Sequence, residues 1–250
     1  MNERTVIDRE PIELPVLPGI EDALWLALLE LAEVQPNNWT LIGGQMVLLH
    51  ALEKSAHVPR VSTDLDVLVN ARVATRAVRD FVRALQERGF EPAGMSPEGV
   101  VHRFMRNGIS VDVLAPDGLG ERTDLTTVSP GRTLQSPGGS QALRRTEMIP
   151  IRFGEQTGLV PRPSLLGAII CKAEAVNVDD APINQRLDLA LLLSLVDDPM
   201  AMAAHLQPKD RQRLRRRSEM NDPTHQSWQV LDQDEADRGL ATYRLLTRDP

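Results

Sequence analysis

Three aspartates in strand-like surroundings are the residues of this sequence best placed to do chemistry. Asp64 and Asp66 lie in the apolar run DLDVLVN (64–70). Strand alternation puts both carboxylates on one face and turns Leu65 and Val67 the other way, toward a core. Two carboxylates about 5 Å apart repel by roughly 3 kcal/mol at an effective dielectric near 20. A divalent cation converts that repulsion into binding. Asp112 repeats the pattern as a lone acid in the apolar run ISVDVL. Should its strand pair beside 64–70, three carboxylates converge. That is a ligand set for one or two Mg²⁺ ions holding a triphosphate and activating a hydroxyl nucleophile. An Asp-x-Asp pair alone is common, and so is a single strand acid; the signal lies in the set.

A second feature precedes them. Gly43-Gly44 follows the apolar run WTLI and opens QMVLLHALEKS (45–55). Glycine lets backbone approach a phosphate closely, and the free N–H groups of a helix start favour anions. A lone Gly-Gly is more often a plain strand–helix turn. No Gly-Lys-Ser/Thr follows it and no Gly-x-Gly-x-x-Gly occurs, so P-loop and dinucleotide sites have no support.

The elements that must carry these residues follow from periodicity and punctuation. An extended arm holds Pro11, Pro15 and Pro18; residues 19–35 read as an amphipathic helix stopped by Pro36-Asn37-Asn38. A strand over 39–44 ends in the glycine turn, a helix spans 45–55, a strand 64–70 and a helix 73–89. Residues 100–116 read as a hairpin turning at Asn107-Gly108. The stretch 117–162 is irregular, with short β-like pieces such as TEMIPIRF; from Pro163 the texture becomes helical. The chain thus reads as α/β (α+β): an α/β domain over 1–160, then a helical domain over 161–250. The polar segment 218–227 reads as a mobile loop, and the segment from Asp232 on as a final packing helix.

Composition narrows the function classes. The chain has 250 residues, 42% hydrophobic and 25% charged, and a net charge of -7. That suits a globular protein, not a general polyanion binder. Aromatics at 3% argue against base stacking as the main mode of nucleic-acid binding. The lone Cys171 reads as a buried structural thiol. His50, His57, His102, His205 and His225 show no metal-ligand spacing. No secretory core or membrane-length apolar run is read, so the expectation is a cytoplasmic protein. One basic cluster stands out, KDRQRLRRR (209–217). It is either a solvated helix face or a contact to a phosphate backbone.

Taken together, a strand, Gly-Gly, a helix, Arg-x-Ser-Thr-Asp-Leu-Asp about twenty residues on, and a third aspartate on a later strand resemble the DNA polymerase beta-type nucleotidyltransferase superfamily. Within it, IGGQMVLLH…RVSTDLDVLV is similar to the AbiEii-type toxins of abortive-infection and toxin–antitoxin systems, including transferases that modify tRNA. The motif core covers residues 39–115. The resemblance implies a nucleotidyltransferase-type mixed sheet followed by helices. It implies an NTP substrate, with Gly43 and Gly44 on the triphosphate. Two Mg²⁺ ions, or Mn²⁺, would bind Asp64, Asp66 and Asp112, and Asp112 would help activate the acceptor hydroxyl. Lys172 would neutralise phosphate charge, Arg60 would orient the loop or nucleotide, and Arg186 and Asp188 would complete the helical part of the site. It also implies tRNA or another RNA as acceptor, through Lys209–Arg217, and a cognate antitoxin as partner. The chain departs from the pattern at the turn, where Gly-Ser is usual, and at Leu187, where a lysine is usual. Lys172 as a solvent-facing lysine, and Arg186 with Asp188 as a structural ion pair, stay open.

Three other readings remain at this level. One is the same chemistry on a small acceptor, as in aminoglycoside-modifying enzymes, which the acidic net charge keeps open. Another is a non-catalytic nucleotidyltransferase-like partner protein, against which the three intact aspartates argue. A sugar-nucleotide glycosyltransferase would explain the Asp-x-Asp pair but neither the Gly-Gly turn nor Asp112.

Overall fold

The computed structural model describes residues 4–16, 20–60, 62–177 and 182–249. The chain begins with strand β1 (Ile12–Glu13), helix α1 (Ile20–Val34), strand β2 (Trp39–Ile42) and helix α2 (Gly43–Glu53). Strand β3 (Asp64–Val69), helix α3 (Ala77–Gln86) and strands β4 (Glu91–Pro92), β5 (Arg103–Arg106) and β6 (Ile109–Pro116) follow. Then come strand β7 (Gln135–Ser136), helix α4 (Gly139–Arg144) and the hairpin of β8 (Thr146–Phe153) and β9 (Gln156–Pro163). After β9 the described elements are all helical: α5 (Leu165–Ala175), α6 (Pro182–Ser194), α7 (Pro199–Ala204), α8 (Pro208–Arg215), a 3₁₀ turn (Ser218–Asn221) and α9 (Gln233–Thr247). The fold is α+β, with mixed sheets.

The main sheet runs β2-β3-β6-β5-β4, with β7 added beside β6; β1, β8 and β9 form a separate sheet. Pairing is antiparallel between β2 and β3, parallel between β3 and β6, and antiparallel between β6 and β5. The two faces of β3 and β6 differ as alternation demands. Leu65, Val67 and Val69, with Val111, Val113 and Ala115, enter the large core that α1, α2 and α3 also cover. On the other face Leu68 packs with Ile42, Ala142 and Cys171 in a small separate cluster, backed by Leu114 and Leu143. Asp64, Asp66 and Asp112 share this second face, so α4 and the end of α5 cover its lower half and leave its upper half to the acids.

Helix α3 shows why these segments take their form. Val78, Phe81, Val82 and Leu85 recur at helical spacing and are all buried, while Asp80 and Arg83 stay exposed. It starts at Ala77, later than the sequence expectation of 73, because residues 72–76 are exposed and offer the core nothing. The expected strand 39–44 stops at Ile42, since both glycines belong to α2. TEMIPIRF is a full eight-residue strand paired along its length with β9.

The large core takes in residues from the sheets and from α5, α6, α8 and α9 without a break. The segment 218–227, expected to be a loop, holds the 3₁₀ turn and is otherwise mostly exposed, with two buried residues. Met220 and Ser227 are fully buried, and Trp228, just beyond, donates to the Met220 carbonyl at 3.2 Å. Its polar residues close local turns, such as Asp222 to Thr224, while two apolar side chains anchor it. Among the described residues, no helix is long and apolar enough to cross a membrane.

Candidate active site

Sheet register builds the acidic centre. Ile42 pairs with Asp66, Asp66 with Asp112, and Asp112 with Arg103, one row across four strands. Paired residues point to the same face. Asp64, Asp66 and Asp112 each bring a carboxylate oxygen within 4.8 Å of the other two. Asp112 is 6% exposed. Arg103 grips it as a fork, Nε to Oδ1 at 2.8 Å and Nη2 to Oδ2 at 2.6 Å, and the same Nη2 lies 3.9 Å from Asp64 Oδ2. Ser62 Oγ donates to Asp64 Oδ1 at 2.5 Å.

These neighbours shape the charges. Burial pushes the Asp66 carboxyl up to about 7; the charges of Asp64 and Asp112 push the same way, while Lys172 and Arg103 oppose them. Arg103 is held protonated ever more firmly by its bonds to Asp112 and that residue's charge. Burial pushes the Cys171 thiol up to about 11, so it stays protonated and acts as packing beneath the acids.

The glycine turn lies hard against this centre. Gly43 has φ +71, and a Cβ added there would fall 1.7 Å from Asp66 Oδ2. A Cβ on Gly44 would fall 2.4 Å from the Ser62 Cβ. Neither position has room for a side chain, and Gly43 also needs the left-handed conformation that glycine adopts without strain. Helix α2 starts here with Ile42 as its cap residue and no side-chain cap bond. Its first N–H groups therefore lack an intrahelical partner and a side-chain acceptor. Gln45 ties the turn down, donating to the Ser62 carbonyl at 2.6 Å.

A second polar centre sits on the helices. Asp188, buried in α6, accepts from Arg60 Nε at 2.9 Å and Nη2 at 2.6 Å, and Lys172 Nζ lies 2.8 Å from its Oδ2. Lys172 also donates to Gln185 Oε1 at 2.9 Å. It is 2% exposed, so the alternative of a solvent-facing lysine is wrong: the apolar stripe of α5 carries it inward. The Arg186–Asp188 pair is corrected too. Residues two apart on a helix face different ways, and Arg186 pairs instead with Glu219 at 2.8 Å. The structure joins Asp64, Asp66, Asp112, Gly43 and Gly44, brings Arg60, Lys172 and Asp188 together beside them, and turns Arg186 toward the 3₁₀ turn.

The basic cluster is largely used inside the protein. Arg211 donates to the Leu246 and Arg248 carbonyls, and Arg215 to the Thr247 carbonyl and Asp249. Arg217 is buried and donates to Asn177. Cations here meet the open carbonyls at the C-terminal end of α9. Lys209 is exposed.

Arg103, Ser62 and Gln45 were not singled out from the sequence. Arg103 was within reach: a hairpin turning on Asn107-Gly108 places 106 opposite 109, and so 103 opposite 112. Ser62 stands inside the Arg-x-Ser-Thr-Asp-Leu-Asp motif, but its partner depends on the loop's path. Gln45 carries no local signal.

Comparison with known proteins adds no assignment. No family model matches the chain, and no curated protein sequence matches it.

Proposed function

We propose that this protein transfers a nucleotide from an NTP to an acceptor hydroxyl at a divalent-metal centre, as a toxin of the AbiEii type acting on tRNA, with a cognate antitoxin as partner. The observation that carries this reading is the convergence of Asp64, Asp66 and Asp112 directly beneath a side-chain-free Gly43-Gly44 turn. The donor set fits a hard ion. All three ligands are carboxylates, which suit Mg²⁺ or Mn²⁺, and Asp66 is raised by burial first and then by the charges of Asp64 and Asp112, costs that a bound cation would offset. Arg103 does not close the site, because a carboxylate bound by one guanidinium fork keeps further lone pairs. Held by the three aspartates, such an ion would supply charge stabilisation on the triphosphate and lower the barrier to attack by the acceptor hydroxyl.

The chain's own groups supply the rest. Gly43 and Gly44 let the triphosphate approach backbone N–H groups at the start of α2. Lys172, held in place by Asp188 and Gln185, sets a positive field at Asp66 and on the phosphates beside it. Arg103 fixes both oxygens of Asp112, so that this carboxylate meets the acceptor hydroxyl in one orientation.

The test is incubation of the protein with each α-labelled NTP, Mg²⁺ or Mn²⁺, and total tRNA. One nucleotide should label the RNA, and Asp66→Ala should lower the rate by several orders of magnitude with its fold intact. No transfer to any RNA with any NTP, or unchanged transfer by the variant, overturns the reading.

A further inference from the structure

The sheet face that carries the acids continues past α4 into a groove of about 820 Å³, within the roughly 300–1,000 Å³ of ordinary ligand sites. Its walls include Arg72, Arg144, Lys209 and Arg213, with Asn70 and Ser140 between them, and no described lining residue is acidic. Arg144 and Lys209 are exposed and have no ion pair or hydrogen-bond partner among the described residues. Arg72 is oriented by the carbonyls of Asp117 and Gly118, at 2.7 and 3.2 Å, which hold the guanidinium without neutralising it. Arg213 shares the carboxylates of Asp210 and Glu174 with Arg145 and Arg216, three cations on two acids. The nearby Asp117 carboxylate is taken up by the Ser140 N–H at 2.7 Å. In a chain of net charge -7, this is a local excess of positive charge.

The geometry points to this groove as the subsite for the phosphodiester backbone of a single-stranded RNA, the acceptor strand of the reaction proposed above, on which this assignment rests. Asp66 and Asn70 lie on one side of the same extended segment, four residues and so ~13 Å apart. A strand whose hydroxyl sits at the acids passes over α4, which covers Leu68 between the two places, and reaches the groove several nucleotides from that hydroxyl. Arginine forks suit phosphate oxygens. Among the described residues the lining has no aromatic ring for a base to stack on. The groove therefore holds backbone and fixes register, without reading sequence. It also redraws the cluster 209–217: Lys209 and Arg213 face the strand, Arg211 and Arg215 hold the end of α9, and Arg217 turns to Asn177.

The experiment is fluorescence anisotropy with the full chain in EDTA, using a short labelled single-stranded RNA at several salt concentrations. The double variant Arg144→Ala/Lys209→Ala should bind more weakly, and the slope of log affinity against log salt should fall by roughly 1.4, about 0.7 for each phosphate contact on a single strand. Arg144→Lys/Lys209→Arg should keep the slope. Arg83→Ala/Arg122→Ala, an equal loss of charge elsewhere on the surface, should leave affinity and slope alone. Equal slopes for wild type and the first variant overturn the subsite, and so does tighter binding of poly-glutamate than of RNA, which would mark an acidic protein as the occupant. With no NTP, metal or turnover in the assay, its failure is separate from failure of the transfer reaction.

Discussion

Asp66 lies beneath the Gly43 turn and between two other acids, and its carboxyl is pushed up to about 7 from an ordinary value near 3.8. The folded value lies above the unfolded one. The protonated group's contribution to stability is therefore fully present below pH ~4 and is lost as pH rises through about 7. Above that pH the metal-free protein holds a desolvated carboxylate beside two others, only partly offset by Lys172 and Arg103, which a divalent ion would relieve. Thermal melts should show Mg²⁺ raising Tm more at pH 8 than at pH 6, and Asp66→Asn should remove most of that difference. Mg²⁺ increments of equal size at both pH values would take Asp66 out of the metal site. Gly43 makes a second prediction at this scale. Gly43→Ala forces φ +71 on a residue with a Cβ, costing about 1–2 kcal/mol, and drives that Cβ into Asp66. Calorimetry should show loss of Mg–NTP binding. Gly154→Ala, with φ +58 but open space around it, should cost stability alone. Intact NTP binding in Gly43→Ala would mean that the phosphates lie elsewhere.

Elements meet at Asp188. It belongs to α6, Lys172 to α5 and Arg60 to the loop before β3, so one carboxylate pins two helices and the loop that leads into the acidic strand. Removing one member of a buried ion group strands the others, at a cost of roughly 3–5 kcal/mol. Asp188→Ala should lower stability by an amount of that order, measured by denaturant unfolding. Lys172→Met in the same chain should recover part of it, because no buried ammonium is then left unpaired. Strict additivity of the two substitutions would show that the contact is not formed. The hairpin β5–β6 works similarly: its two-residue turn sets the register that puts Arg103 on Asp112.

Across the whole molecule, the C-terminal helix closes the fold. Arg211 and Arg215 of α8 bind carbonyls at the end of α9, and Tyr243 of α9 donates to the Leu214 and Arg217 carbonyls at 3.2 and 2.7 Å. Arg211→Ala/Arg215→Ala should lower stability by about 1 kcal/mol, since cation contacts at a helix end are worth a few tenths to one each. RNA affinity should hardly change, although two positive charges are lost. A large loss of RNA binding with unaltered stability would return these arginines to the nucleic-acid surface.

Local pattern by itself determined the strand bearing Asp64 and Asp66, the glycine turn, the Asn107-Gly108 hairpin and the change to helices after β9. Each of these depends on alternation, helical spacing or turn chemistry within a short stretch of chain. The tertiary structure decided what the side chains meet. The parallel pairing of β3 with β6 set Asp112 opposite Asp66, a register no local signal encodes because the intervening chain includes a whole helix. The fate of the cationic residues was likewise invisible in sequence. Lys172 turned inward to Asp188, Arg186 to Glu219, and Arg211 and Arg215 of the 209–217 cluster to the end of α9. A charged side chain is long and fits water as well as a buried partner, so its type and spacing do not say which it finds. Only the packing of distant elements supplies, or withholds, the carboxylate or carbonyl that it binds.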